Sequence, residues 1–188
     1  MANRSFLVAQ RTSDPNEPHG EQAIVAAANY CVPAFWLTLF RTNDLTYRDE
    51  PARDGAGNPA QVPCAVAATA QALARARAQR PAVLDQVPAR FAAHFDEFLQ
   101  LVESVPESAL RLDVAEIWGM EDAPPDFANQ LARALSAPES QDPLHWVAAF
   151  SLAGFDIDRK TQAVDFDNDS ARFLLRGYKW RRPVPWKD

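Results

Sequence analysis

The chain has 188 residues, 47% of them hydrophobic and 23% charged, and carries a net charge of −6. That composition is globular and excludes intrinsic disorder, and a chain of this length can bury a core without metal or disulfide support. A predominantly acidic molecule is a poor nucleic-acid binder by its bulk field and a better match for a basic protein surface.

The distribution of charge says more than its sum. Arg172–Asp188 holds six basic residues and one acidic, leaving the first 171 residues at −11. Within that stretch, Asp96–Asp126 places nine carboxylates against the single cation Arg111.

Taken in chain order, Ser5–Arg11 predicts a short strand, and the Pro/Asp/Asn/Gly-rich stretch Thr12–Gly20 a loop. Ile24, Val25 and Ala28 suggest one face of a helix over Glu21–Tyr30. Pro33 then suits the first turn of a second helix through Phe40, apolar nearly all round and therefore central. Residues 42–63 predict a long polar loop with Asp54-Gly55 and Gly57-Asn58-Pro59. Val66, Ala70, Leu73 and Arg77 give helical spacing over Ala65–Arg80, with Pro81 as its stop.

The clearest amphipathic helix is Pro88–Glu103, whose Phe91, Phe95, Phe98, Leu99 and Val102 form one stripe. Ser104-Val-Pro-Glu107 predicts a capping box opening a short turn. The alternation of Leu110–Val114 predicts a strand paired with the N-terminal one. Asp122–Asp126 opens a helix striped by Phe127, Leu131 and Leu135, and Asp142-Pro143 caps another that Gly154 ends. A strand is expected over Ala163–Phe166, and a last short helix over Ser170–Arg176, stopped by Gly177. The whole reads as an α+β fold, a single mostly helical domain over residues 1–188 with a small β-sheet, a polar loop at 42–63 and a basic, aromatic C-terminal tail at 177–188.

Chemistry is sparse. Cys31 and Cys64 read as small buried hydrophobes in a cytoplasmic protein. Met1–Ala9 has no apolar stretch of signal-peptide length, and the apolar segment Ala23–Phe40 is broken by Asn29, Tyr30 and Pro33, so no membrane span is expected. His19, His94 and His145 have no second histidine or cysteine at ligand spacing. The string Asp165-Phe-Asp-Asn-Asp169 mimics the start of a calcium loop but has Ser170 where glycine is needed and Arg176 where glutamate is needed. No P-loop, GxGxxG or GxSxG occurs, and the chain has six glycines in all. The tail Gly177–Trp186 mixes cations with aromatics and reads as a strap docking Tyr178, Trp180 and Trp186 on the core. No catalytic residue, metal site or cofactor is assigned.

Met1-Ala-Asn-Arg-Ser-Phe-Leu7, with Ala28-Asn-Tyr30, Pro33 and Trp36-Leu37, resembles a group of uncharacterised bacterial proteins opening Met-Ala-Asn-Arg-Ser-(aromatic)-Leu; Phe6 replaces the tyrosine expected there. In size, acidity and lack of motifs the chain is also similar to bacterial toxin-immunity proteins. That similarity implies a cytoplasmic inhibitor that occludes a cognate toxin with a basic surface, with no direct nucleic-acid or membrane contact. The expected contact residues are Asp96, Glu97, Glu103, Glu107, Asp113, Glu116, Glu121 and Asp122. The competing readings are a hydrolase using Asp165, Asp167 or Asp169 with a divalent ion, and a structural or adaptor protein.

Overall fold

The structure, a computed structural model, describes residues 3–18, 24–50, 60–120, 126–140, 142–158 and 160–179. Strand β1 (Arg4–Gln10) is apolar on both faces, and Ser5 through Gln10 are all buried, as a central strand requires. Strand β2 (Ile24–Asn29) pairs with it antiparallel, which overturns the helix expected over Glu21–Tyr30. Ile24 and Val25 favour extended backbone, and a run of three alanines follows either geometry, so packing decides.

Pro33 precedes a fully buried 3-10 helix, Ala34–Leu39. The polar loop expected over 42–63 instead contains a 3-10 turn at Thr42–Asp44, strand β3 (Leu45–Glu50) and the start of strand β4 (Ala60–Ala68); residues 51–59 lie outside the described set. β3 and β4 pair antiparallel, Leu45 opposite Ala65 and Glu50 opposite Ala60. β3 ends in the charged run Arg48-Asp-Glu50, and Arg48 pairs with Glu50 and Asp113 on one face of the sheet, so the strand lacks an apolar signature.

Helix α1 (Thr69–Leu84) begins four residues later than its spacing predicts and runs through Pro81 instead of stopping there. Its start is set from outside: the Thr69 amide donates to the Ser108 carbonyl and its hydroxyl to the Glu107 carbonyl, both at 2.8 Å. Helix α2 (Ala92–Glu103) follows a 3-10 turn at Ala89–Phe91, and the whole Phe91/Phe95/Phe98/Leu99/Val102 stripe is buried. The Phe35 and Phe95 rings meet edge to face at 4.9 Å, a favoured aromatic geometry. Residues Ser104–Glu107 make no helical turn and lead directly into strand β5 (Ala109–Asp113).

β5 lies between β4 and β1, antiparallel to both, so the expected pairing with the N-terminal strand is observed. The short helix α3 (Ala115–Trp118) follows. Helices α4 (Phe127–Ser136) and α5 (Pro143–Leu152) come next, α5 with Asp142 accepting from the Leu144 amide as its N-cap. Phe155–Phe166 folds back on itself through an Ile157–Val164 bridge, which is all that forms of the strand expected at Ala163–Phe166. Helix α6 (Ala171–Arg176) ends at Gly177, and strand β6 (Tyr178–Lys179) adds to β2. The remainder of the tail, from Trp180 onward, is outside the described residues.

The described strands form one antiparallel sheet in the order β3-β4-β5-β1-β2-β6. The α+β class holds, but a six-stranded sheet replaces the expected small one, so the fold is not mostly helical. α1, α2, α4, α5 and α6 bury their apolar faces against one side of it in a large core with Leu7, Ala26, Ala65 and Leu112. On the opposite side, Phe6, Val8, Ile24 and Ala27 form a smaller cluster with Tyr178.

Candidate functional site

Among the described residues, the carboxylates of the acidic segment are divided between elements that include α2, the buried strand β5 and α3. On α2, Asp96 takes a two-pronged hydrogen bond from Arg80, both contacts at 2.8 Å, and this holds its carboxyl below the usual range despite some desolvation. Glu103 pairs with Arg77 at 2.7 Å. Glu97 pairs with Arg176 and lies 3.5 Å from His94 Nδ1. Each of these carboxylates therefore meets an arginine supplied by α1 or α6.

Asp113 is buried in β5 on the sheet face away from the main core. It lies 3.0 Å from Arg48 and 3.7 Å from Arg111 and accepts the Ala115 amide. Burial works against the Arg48 charge, but Asp113 and Glu50 outweigh it and hold the guanidinium above its ordinary value. For Arg111 burial wins and lowers it, with Asp113 opposing. Arg111 also donates to the Pro15 and Glu17 carbonyls, fastening the 11–18 loop over the cluster. Glu116 accepts the Arg4 amide at 2.8 Å, the Glu107 side chain is half-buried, and Glu121 and Asp122 lie outside the described residues.

A denser group of exposed carboxylates lies elsewhere. After Gly154 the chain makes a hairpin in which Phe155, Ile157, Val164 and Phe166 pack on the core while Asp156, Asp158, Asp165, Asp167 and Asp169 are exposed. The Asp165 amide donates to the Asp156 carbonyl and the Asp158 amide to the Ala163 carbonyl, both at 2.9 Å. At the tip, Asp158 Oδ1 accepts the amides of Thr161 and Lys160, which pull its carboxyl below the usual range. Asp167 pairs with Arg90 at 2.6 Å. Among the described residues, the other four carboxylates have no cationic partner. The sequence carries the signal as two alternating stretches, Phe155-Asp-Ile-Asp158 and Val164-Asp-Phe-Asp167, flanking a polar turn, the second overlapping the calcium-loop-like string Asp165–Asp169. Among the described residues, no three of His, Cys, Asp and Glu converge closely enough to hold a metal ion.

Two concave surfaces adjoin these groups. A cleft of about 310 Å³ between the hairpin and α2 is lined by Arg90, His94, Phe166, Asp167, Asp169 and Arg172. A larger cavity of about 900 Å³ opens between α2, α6 and β6. His145 bonds to the Ser136 hydroxyl through Nδ1 at 3.0 Å, and His19 is outside the described residues. Cys31 and Cys64 are buried free thiols; burial pushes Cys31 up to about 12 and Cys64, helped by Asp113, up to about 11. Neither has the thiolate character a nucleophile needs.

No family model matches the chain, and no curated protein or solved structure is significantly similar to it. Among the described residues no helix is long and apolar enough to cross a membrane.

Proposed function

We propose that this protein acts by binding rather than turnover, as an immunity-type inhibitor that covers a cognate toxin bearing a basic surface. The observation that carries the reading is the 156–169 hairpin. Five exposed carboxylates stand on a turn whose alternate residues are anchored in the core, and they outnumber the described cations near them, Arg90, Lys160 and Arg172. Preorganised charge of one sign speeds association with the opposite sign and orients the encounter. In a toxin that binds phosphates, these carboxylates would occupy the places of the substrate's phosphate groups.

The α2 carboxylates Asp96, Glu97 and Glu103 contribute less in this reading, because Arg80, Arg176 and Arg77 already neutralise them. The decisive measurement is native co-purification, followed by affinities of the retained protein for charge-reversed chains. Asp156→Lys with Asp158→Lys and Asp165→Lys is expected to weaken binding at least about tenfold, roughly 1.4 kcal/mol, and Asp96→Lys with Glu103→Lys much less. Unchanged affinity in the hairpin variant removes this surface from the reading. Thermal stabilisation by calcium, magnesium or manganese that is lost in Asp165→Asn and Asp169→Asn would favour the hydrolase reading instead.

A further inference from the structure

The acidic chain has one basic end. The floor of the 900 Å³ cavity between α2, α6 and β6 is formed by Phe98, Leu101 and Phe173, and its rim carries Arg4, Arg176 and Lys179 against the single carboxylate Glu97. Phe173 is 40% exposed although its helix buries Ala171 and Leu175. A second hollow of about 330 Å³ shares Phe173 and Tyr178 with the first, so the two side chains separate two adjoining depressions. Among the described strands, β6 is the outermost of the sheet on this side.

We infer that this groove docks an acidic, extended polypeptide segment carrying an aliphatic or aromatic anchor. Exposed aromatic and arginine side chains around a hollow, rimmed by polar groups such as Gln100 and Ser104, have the make-up of a protein-binding hot spot. Carboxylates of the incoming segment complement the positive rim, and its anchor fills a depression beside Phe173. The adjacent sheet edge suits an extended backbone. A nucleic acid would leave Leu101 and the adjacent sheet edge unused, whereas a peptide's apolar anchor and extended backbone use both. This surface is opposite in sign to the hairpin, and the inference does not rest on the toxin-inhibitor reading.

Random peptides displayed on phage and selected against the full chain are the probe. The expected winners carry Asp or Glu around a Leu, Ile, Phe or Trp. A synthesised winner should bind Lys179→Glu and Phe173→Ala chains at least about tenfold more weakly, lose affinity as salt rises, and bind the hairpin-reversed chain normally. Both substituted positions are exposed, and circular dichroism checks the fold; should Phe173→Ala perturb it, Lys179→Glu decides alone. Winners that are basic, or that bind both variants as well as the parent, overturn the proposal. So does a selection with no enrichment, or displacement of the peptide by a single-stranded oligonucleotide.

Discussion

The indole N–H of Trp36 donates to the backbone carbonyl of Arg176 at 2.8 Å, joining residues 140 positions apart in the chain. Trp36 is fully buried, so the bond satisfies a donor that would otherwise be stranded in the core. The same contact fixes where α6 ends and β6 begins, and with them the floor and rim of the basic groove.

Gly177 makes that junction possible. Its backbone, at φ +69° and ψ −162°, lies in a region open essentially to glycine alone. An added Cβ would come within 2.6 Å of the Trp36 ring and 2.9 Å of the Ala27 carbonyl oxygen. Backbone strain and overpacking together predict that Gly177→Ala lowers stability by about 3 kcal/mol or more. Urea unfolding measures this, and a loss below about 1 kcal/mol would show that the junction relaxes.

The Asp113 cluster gives a second expectation. Asp113 and Arg111 side chains are 4% and 2% exposed, and Arg48 is 14% exposed. Asp113→Asn removes the carboxylate shared by Arg111 and Arg48, of which Arg48 keeps Glu50, and costs about 3 kcal/mol. In a double-mutant cycle, adding Arg48→Met to Asp113→Asn should cost less than the sum of the single changes, by more than about 0.5 kcal/mol. Strict additivity would mean that the pair contributes nothing.

Phe95 fills the space between α2 and the Ala34–Leu39 turn, fully buried against Phe35 and Phe98. Phe95→Ala should remove about 3–5 kcal/mol through lost burial and the cavity left behind. Thermal unfolding followed by circular dichroism reads the effect. Phe173→Ala, at an exposed position, serves as the contrasting control.

Thiol chemistry supplies a pH dependence. Burial raises Cys31 from 9.0 to about 12 and Cys64 from 9.0 to about 11 in the folded chain. The folded state thus holds these protons more tightly than the unfolded state. The associated stability is complete below about pH 9 and falls as pH rises through each folded value. Tyr178, raised by burial despite the opposing influence of Arg4, adds a fall in the same direction. Chemical denaturation between pH 8 and 11 should show this decline, reduced in Cys31→Ser with Cys64→Ser. A thiol reagent at pH 8 should label the unfolded chain and leave the native one unmodified.

Local signals were legible wherever one neighbourhood of sequence sufficed. The Phe91–Val102 stripe, the Asp142-Pro143 cap and the Gly177 stop each rest on residues a few positions apart, and each formed as expected. β2, β3 and β4 did not announce themselves. Three alanines in β2 have no preference strong enough to select a strand, and β3 ends in the charged run Arg48-Asp-Glu50, whose Arg48 meets Asp113 from 65 positions away. Pro81 failed as a stop because the helix around it is held by Ala76 and Val83 in the core.

The candidate site divides along the same line. The sequence by itself determined that the chain is globular, acidic, free of familiar catalytic motifs, and built from α and β elements around a phenylalanine-rich core. Only the tertiary structure decided which carboxylates face solvent unpaired. Ion pairing depends on distances across the fold, so α1 and α6 bring arginines to the α2 carboxylates and β3 brings one to Asp113, while the 156–169 hairpin keeps four of its five carboxylates without a described cationic partner.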